Sequence, residues 1–143
     1  MREEKIRPIA ICVCREGDRI LVAEGHDCQK NQTFYRPLGG TIEFGERGEE
    51  TVRREFREEI AAELTGVRYL GTLENIFVYE GLRGHEIVLV YDGRLTDVSI
   101  YEKLVIQGNE LGTPFKAIWK RLDEFGPGKP PVYPDGLLKL LES

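Results

Sequence analysis

Residues 39–62, GGTIEFGERGEETVRREFREEIAA, join a glycine-rich loop to a charged helix. Residues three and four apart share a helical face, so Glu55, Glu58 and Glu59 form one carboxylate cluster. The neighbouring face is apolar and contains Val52, Phe56, Ile60 and Leu64. The pattern therefore predicts a helix that packs one face on a core and presents an acidic face beside it.

The carboxylate cluster needs positive charge close by. Like charges near a protein surface repel by roughly 4 kcal/mol per pair at about 4 Å. Arg54 offsets part of this repulsion, and a hard divalent cation would offset the rest, because Mg²⁺ prefers carboxylate oxygens and keeps water positions open for a phosphate. A solvated charged face is the alternative for a Glu/Arg-rich helix taken alone. From the residues alone both the solvated face and the metal site stay open.

The spacing resembles the signature box of the Nudix hydrolases. From Gly40, five residues lead to Glu46, and seven more lead to the charged run at residues 54–59. The resemblance implies an α/β fold, the Nudix α/β/α sandwich with a mixed sheet. Residues 1–143 are then expected to form a single Nudix hydrolase domain.

The resemblance also implies a metal site with Mg²⁺ as the cofactor and Mn²⁺ as a substitute. The expected ligands are the Gly39 carbonyl and the carboxylates of Glu55, Glu58 and Glu59. Among these, Glu58 and Glu59 are the first choices.

Three box residues are expected to take part in catalysis. By resemblance, Glu46 supports the loop and pairs with Arg54, holding the ligands in place. A carboxylate removes the proton from the attacking water. That general base is either Glu55 or a glutamate from a later loop, and Glu102 and Glu110 both stay open.

Two positions depart from the family pattern. Ala61 stands where the box usually ends in glycine, which lets a chain leave a helix through positive φ. If the helix continued to Gly66 instead, the next strand would start later. Arg47 stands where a serine cap is usual, so Gly48 is a substitute cap, followed by acidic residues that favour the first turn.

The activity implied by resemblance is hydrolysis of a nucleoside diphosphate linked to another group. The linked group would make the substrate a nucleoside triphosphate, a dinucleoside polyphosphate or a nucleotide sugar such as ADP-ribose. The predicted substrate contacts are Tyr35, Arg36 and Gly40. Phe34 and Phe77 could also stack a base, and Arg83 could meet a phosphate or ribose.

A second function stays in view. Some proteins of this fold sense nucleotides without hydrolysing them, and such proteins typically have a damaged box. Every charged residue of the box is present here. The intact box favours the hydrolase over the non-hydrolytic binding module.

Composition limits the partners. The longest apolar run, residues 9–14, is far short of a membrane span, and residues 1–5 lack the apolar region of a signal peptide. We therefore expect a cytoplasmic protein that does not bind membranes. A net charge of −5 argues against nucleic acid, including capped RNA. A small nucleotide is the expected partner, and a homodimer is left open.

The rest of the chain is predicted to be mostly strands. Residues 6–14 and 19–23 form a hairpin, residues 63–80 form one or two strands, and residues 85–95 another. Residues 25–33 are interpreted as a loop and residues 96–114 as a long polar connection. A last strand is predicted at residues 115–119 and a closing amphipathic helix at residues 135–141.

Overall fold

A computed structural model of the chain describes residues 4–142. Residues 1–3, part of the N-terminal segment considered above, and Ser143 lie outside the described residues. The elements follow in the order β1 (Ile6–Glu16), β2 (Arg19–Asp27), β3 (Gln32–Arg36), β4 (Gly39–Thr41), α1 (Gly48–Ile60), β5 (Leu64–Tyr79), β6 (Leu82–Leu95), a 3-10 helix (Val98–Glu102), β7 (Val105–Glu110), β8 (Thr113–Arg121), a second 3-10 helix (Leu122–Glu124) and α2 (Leu137–Leu141). Within residues 4–142, the helices are too short or too polar to cross a membrane.

Strand β1 joins the two halves of the sheet. It pairs in parallel with β6 along one side, while β4 and then β2 pair with it antiparallel. The order across the sheet is β5-β6-β1-β2-β8-β7, with β3 beside β2 and β4 beside β1. This is the mixed sheet of the predicted α/β fold.

Helices cover both faces of the sheet. Helix α1 places Val52 and Phe56 among the buried residues of one face, and Leu137 and Leu141 of α2 lie among those of the other. Val52 and Phe56 are fully buried, and burial of each such side chain contributes about 1.5–3 kcal/mol. The apolar face predicted for α1 therefore anchors the helix that carries the box.

The prediction of a loop at residues 25–33 is wrong. Strand β2 continues to Asp27 and β3 begins at Gln32, so only residues 28–31 turn. Asp27 is buried, and its Oδ1 accepts the N–H groups of Gln29 and Lys30 while Oδ2 accepts that of Glu80. The polar composition of this segment thus belongs to a hairpin turn tied down by one carboxylate, because a buried carboxylate requires such hydrogen bonds.

The long connection predicted at residues 96–114 is also wrong. It contains the first 3-10 helix and a β7–β8 hairpin, and β8 starts at residue 113. Strand β7 lies at the edge of the sheet and buries only Ile106 and Gly108. An edge strand with so few buried residues looks like a polar loop in sequence.

Two further predictions need smaller corrections. Residues 63–80 contain a single strand, β5, and the register shifts beside Gly66 and Gly71 bend it without ending it. Helix α2 has five residues and starts after Gly136, whose φ of 90° is outside the helical region.

Candidate active site

The start of α1 is stabilised by a side chain of its first turn. Arg47 is the residue before the helix, and its N–H donates to Oε1 of Glu50 at 2.8 Å. Gly48, predicted as a substitute cap, is the first helical residue. A Cβ on Gly48 would lie 2.4 Å from the hydroxyl oxygen of Tyr91, so the glycine lets the helix approach β6.

The end of α1 shows how alanine replaces the usual glycine. Ala61 adopts the left-handed conformation, with φ 53° and ψ 39°. Its N–H donates to the Arg57 carbonyl, and the N–H of Ala62 donates to that of Phe56. The helix therefore ends at Ile60, with β5 starting at Leu64, and the left-handed alanine costs about 1 kcal/mol.

Each glycine of the pair before the helix is required by a different neighbour. A Cβ on Gly39 would lie 2.1 Å from the carbonyl oxygen of Ala10 in β1. A Cβ on Gly40 would lie 2.4 Å from Oε1 of Glu55. Gly40 thus forms a cradle for the Glu55 carboxylate, and this contact fixes where α1 sits over β4.

Backbone pairing determines the direction of the Gly39 carbonyl. Leu38 accepts a hydrogen bond from the N–H of Cys12, and Ile42 donates to the carbonyl of Pro8. In an antiparallel pair, alternate residues face the partner strand. Leu38 faces β1 through its carbonyl. Gly39 is the next residue, so its carbonyl points away from β1.

Arg54 is held in one orientation by Glu46. Its Nε and Nη2 donate to the two carboxylate oxygens of Glu46 at 2.8 and 3.0 Å, and Nη2 also donates to the Thr41 carbonyl at 3.1 Å. The Arg54 guanidinium lowers the pKa of Glu46 to about 2, while burial opposes the shift and the Thr51 hydroxyl supports it. The same ion pair raises the pKa of Arg54.

Glu59 is close enough to Glu55 and Glu110 for both charges to act on it, and Arg54 binds Glu55. Nη1 of Arg54 donates to Oε1 of Glu55 at 2.8 Å. Glu59 is only 7% exposed. Burial, followed by the charges of Glu55 and Glu110, raises its pKa well above the ordinary value. The site thus crowds three carboxyl groups beside one guanidinium.

Glu58 and Glu102 are placed differently. The Glu58 side chain is 53% exposed and lies 3.5 Å from Nη1 of Arg54, at the rim of the group. Glu102 is exposed at the end of the first 3-10 helix, while Glu110 ends β7 and acts directly on Glu59. Sequence reasoning left these two glutamates equal because it missed the β7 strand.

The predicted substrate contacts are dispersed. Tyr35 is buried on the face of the sheet opposite α1, and its hydroxyl donates to Glu24 at 3.2 Å. Arg36 is half-buried and lies 3.9 Å from Glu86. Only Gly40 contacts the carboxylate group around Glu55.

The chemistry of the carboxylate group fits a hard divalent cation. Within residues 4–142, no three acidic, His or Cys side chains are gathered closely enough to hold a metal ion as they stand. Burial and the negative charges of Glu55 and Glu110 raise the pKa of Glu59, and a bound cation would offset that negative charge. Gly40 leaves room for the Glu55 carboxylate, and the Gly39 carbonyl is free of β1.

Comparisons with known proteins agree on the fold. The NUDIX domain family matches residues 5–136. The MutT NUDIX hydrolase from Burkholderia pseudomallei is 19% identical, with 97% of this chain and 98% of that chain covered and a TM-score of 0.66. The NUDIX hydrolase from Nitrosomonas europaea is 18% identical, with 84% and 75% covered and a TM-score of 0.58.

Two curated proteins share a shorter segment. The NAD-capped RNA hydrolase NudC of Pseudomonas putida is 37% identical over 68 residues, which is 48% of this chain and 24% of that protein. The mitochondrial NAD(P)H pyrophosphatase NUDT13 of Homo sapiens is 35% identical over 65 residues, 46% of this chain and 18% of that protein. The matched segments cover less than a quarter of these relatives.

Proposed function

The chain belongs to the Nudix family, and from that membership we propose that it is a metal-dependent pyrophosphohydrolase. It would cleave the diphosphate linkage of a nucleoside diphosphate joined to another group, with residues 1–143 acting as one domain. The observation that carries this proposal is the crowding of Glu55, Glu59 and Glu110 beside Arg54. Carboxyl groups crowded in a partly buried site are typical of metal and acid–base chemistry.

The ligands proposed for Mg²⁺ or Mn²⁺ are the Gly39 carbonyl and the carboxylates of Glu55, Glu58 and Glu59. When bound, the ion would neutralise the charge of the diphosphate and lower the pKa of a bound water. Arg54 orients Glu55 through their 2.8 Å contact, and Glu46 in turn orients Arg54. Glu58 would have to turn from the rim toward Glu59.

Glu110 is the general base that this arrangement favours. Glu55 is engaged by Arg54 and packed against Gly40, which suits a fixed ligand. Glu110 is exposed at the end of β7 while its carboxylate acts on Glu59. A base at the edge of the site can take a proton from water and pass it to solvent.

The expected substrates are small nucleotides. The two curated relatives are named for NAD-capped RNA and NAD(P)H, compounds in which a pyrophosphate joins two groups. This supports a dinucleotide or a nucleotide sugar among the substrates. The net charge of −5 favours a small substrate over a nucleic acid, and the cytoplasmic location and the homodimer stay predictions.

The test is release of nucleotide and phosphate from nucleoside triphosphates, dinucleoside polyphosphates and nucleotide sugars. Each reaction is run with Mg²⁺, with Mn²⁺ and with chelator, for the wild type, Glu58→Gln and Glu59→Gln. Metal-dependent cleavage that both variants largely lose supports the proposal. Metal-dependent nucleotide binding without any cleavage would replace it with the sensing module.

A further inference from the structure

A cavity of about 270 Å³ opens where β1, β5 and β6 meet. Cationic side chains line it together with a phenyl ring and one carboxylate, and the main contributors are Lys5, Arg7, Arg83, Phe77, His85 and Glu86. Arg83 is already paired with Glu4 at 2.8 Å, so Lys5 and Arg7 are the cations that favour an anionic ligand here.

The carboxylate of this cavity lacks a partner. Glu86 is 4% exposed, and its buried Oε1 has no hydrogen bond from the described residues. Nη2 of Arg36 lies 3.9 Å away, beyond hydrogen-bond distance. Buried polar atoms in native proteins are almost always paired, so this oxygen points to a ligand that supplies the missing hydrogen bond, next to the Arg36 guanidinium, whose side chain is 37% exposed.

The two groups present complementary hydrogen-bonding capacities side by side. Arg36 offers N–H donors and Glu86 offers two acceptor oxygens. Guanine presents the matching set along one edge, with the O6 acceptor next to the N1–H and N2–H donors. Adenine and cytosine each place a single amino donor beside an unprotonated ring nitrogen, which would face a carboxylate oxygen.

We propose that Arg36 and Glu86 determine base specificity and select guanine nucleotides as substrates. The proposal rests on the proposed function, because it names the nucleotide that the same site would cleave. Guanine would satisfy both oxygens of Glu86 and place O6 at Arg36. Adenine would satisfy one oxygen and repel the other.

The cavity is connected to the box through a single residue of β4. Arg7 lines the cavity and donates to Oγ1 of Thr41 at 3.0 Å. The carbonyl of Thr41 accepts a hydrogen bond from Arg54 at 3.1 Å. In a nucleotide with its base at Glu86, the phosphates would therefore lie beside Arg7 and extend toward the carboxylates near Arg54.

The experiment measures kcat/KM for matched guanosine and adenosine substrates that share one leaving group, for the wild type and Glu86→Gln. We expect a guanosine preference of about 10- to 100-fold, reduced to below threefold in Glu86→Gln, since glutamine replaces one acceptor with a donor. The second variant is Arg36→Met. It should lower kcat/KM for the guanosine substrate without unfolding the protein, because the Arg36 side chain is 37% exposed. The control Glu74→Gln changes an exposed glutamate of β5 and should retain the preference.

Binding of GMP and AMP in the presence of chelator separates this inference from the hydrolase proposal. Tighter binding of GMP that Glu86→Gln and Arg36→Met both weaken supports the specificity assignment even if no substrate is cleaved. Equal binding of GMP and AMP by the wild type overturns it even if hydrolysis is found. A guanosine preference that survives in both variants also overturns it.

Discussion

Glu46 orients Glu55 without touching it, through Arg54. Two oxygens of Glu46 accept from Nε and Nη2 of Arg54, at 2.8 and 3.0 Å, and the remaining Nη1 donates to Glu55 at 2.8 Å. The Glu46 and Arg54 side chains are 16% and 24% exposed, so water competes only partly for these bonds. Glu46 therefore orients Glu55, a proposed metal ligand, through the side chain of Arg54 that lies between them.

Replacing Glu46 by Gln should reduce activity and stability together. Glutamine cannot accept both N–H groups of Arg54, so Arg54 and Glu55 become less ordered. We expect a loss of about 10- to 100-fold in kcat/KM and of about 2 kcal/mol in the free energy of unfolding, below the range for a fully buried pair. Urea unfolding and steady-state kinetics measure the two effects.

The matched control for that experiment is Glu49→Gln. Glu49 lies in the same helix and pairs with Arg53 at 3.4 Å, with side-chain exposures of 51% for Glu49 and 34% for Arg53, both higher than in the Glu46–Arg54 pair. Such a pair contributes less than about 1 kcal/mol. Equal effects of the two substitutions would show that the Glu46–Arg54 pair has no special role.

Because of the same ion pair, the free energy of unfolding should depend on pH in the acidic range. The pKa of Glu46 is lowered from 4.5 to about 2 in the folded protein. The unfolded chain therefore binds the proton first, so the stabilisation is complete above pH about 4.5 and is lost as the pH falls toward about 2. Between pH 5 and 3 the wild type should lose more unfolding free energy than Glu46→Gln. Parallel curves for the two proteins would contradict this assignment.

Ala61→Gly should stabilise the protein. A φ of 53° at position 61 raises the free energy of the folded protein when the residue is alanine but not when it is glycine. We expect a gain of about 1 kcal/mol in the free energy of unfolding, measured in urea. Ala62→Gly is the control: its φ is not positive and its side chain is buried, so it should lose about 1 kcal/mol. A neutral or destabilising Ala61→Gly would contradict the prediction.

Metal binding should be visible in thermal stability without any substrate. Saturating Mg²⁺ or Mn²⁺ is expected to raise the Tm of the wild type, because a ligand bound only by the folded state stabilises it. Glu59→Gln should lose the increase and keep a Tm at least equal to that of the metal-free wild type, since it relieves the crowding with Glu55 and Glu110. A metal-induced increase of the same size in Glu59→Gln would exclude Glu59 as a ligand.

Comparison of Glu110→Gln with Glu102→Gln tests the proposed base. Glu110 acts on Glu59 from the end of β7, whereas Glu102 is exposed in the 3-10 helix. Loss of a general base lowers kcat by about 10²- to 10⁴-fold, and we expect this for Glu110→Gln, with Glu102→Gln within about threefold of the wild type. The reverse order would assign the role to Glu102.

The sequence predicted the helix of the box and its buried face because these depend on local spacing. Val52 and Phe56 recur at helical intervals, and the family resemblance supplied the mixed sheet around them. The same spacing could not rank Glu58 against Glu59. Their exposures of 53% for the Glu58 side chain and 7% for Glu59 depend on where β7 packs, which helical periodicity does not contain.

Long-range pairing accounts for what the sequence did not predict. Because both segments are polar, the sequence did not predict the short β2–β3 turn or the edge strand that carries Glu110. At that turn, Asp27 accepts backbone N–H groups from two hairpins. The Arg36–Glu86 pair brings together residues of β3 and β6, fifty positions apart in the chain. No local pattern marks either arrangement, since each residue alone is an ordinary polar side chain.

The position of β1 has a consequence for how the protein opens. Residues 9–14 are buried without interruption, with alternate side chains in the two apolar clusters that α1 and α2 cover. Exposing either cluster to solvent requires β1 to detach, and this would also disrupt the other cluster. Local opening is therefore confined to the hairpin ends, and the amides of residues 9–14 should exchange hydrogen with solvent only when the whole molecule unfolds.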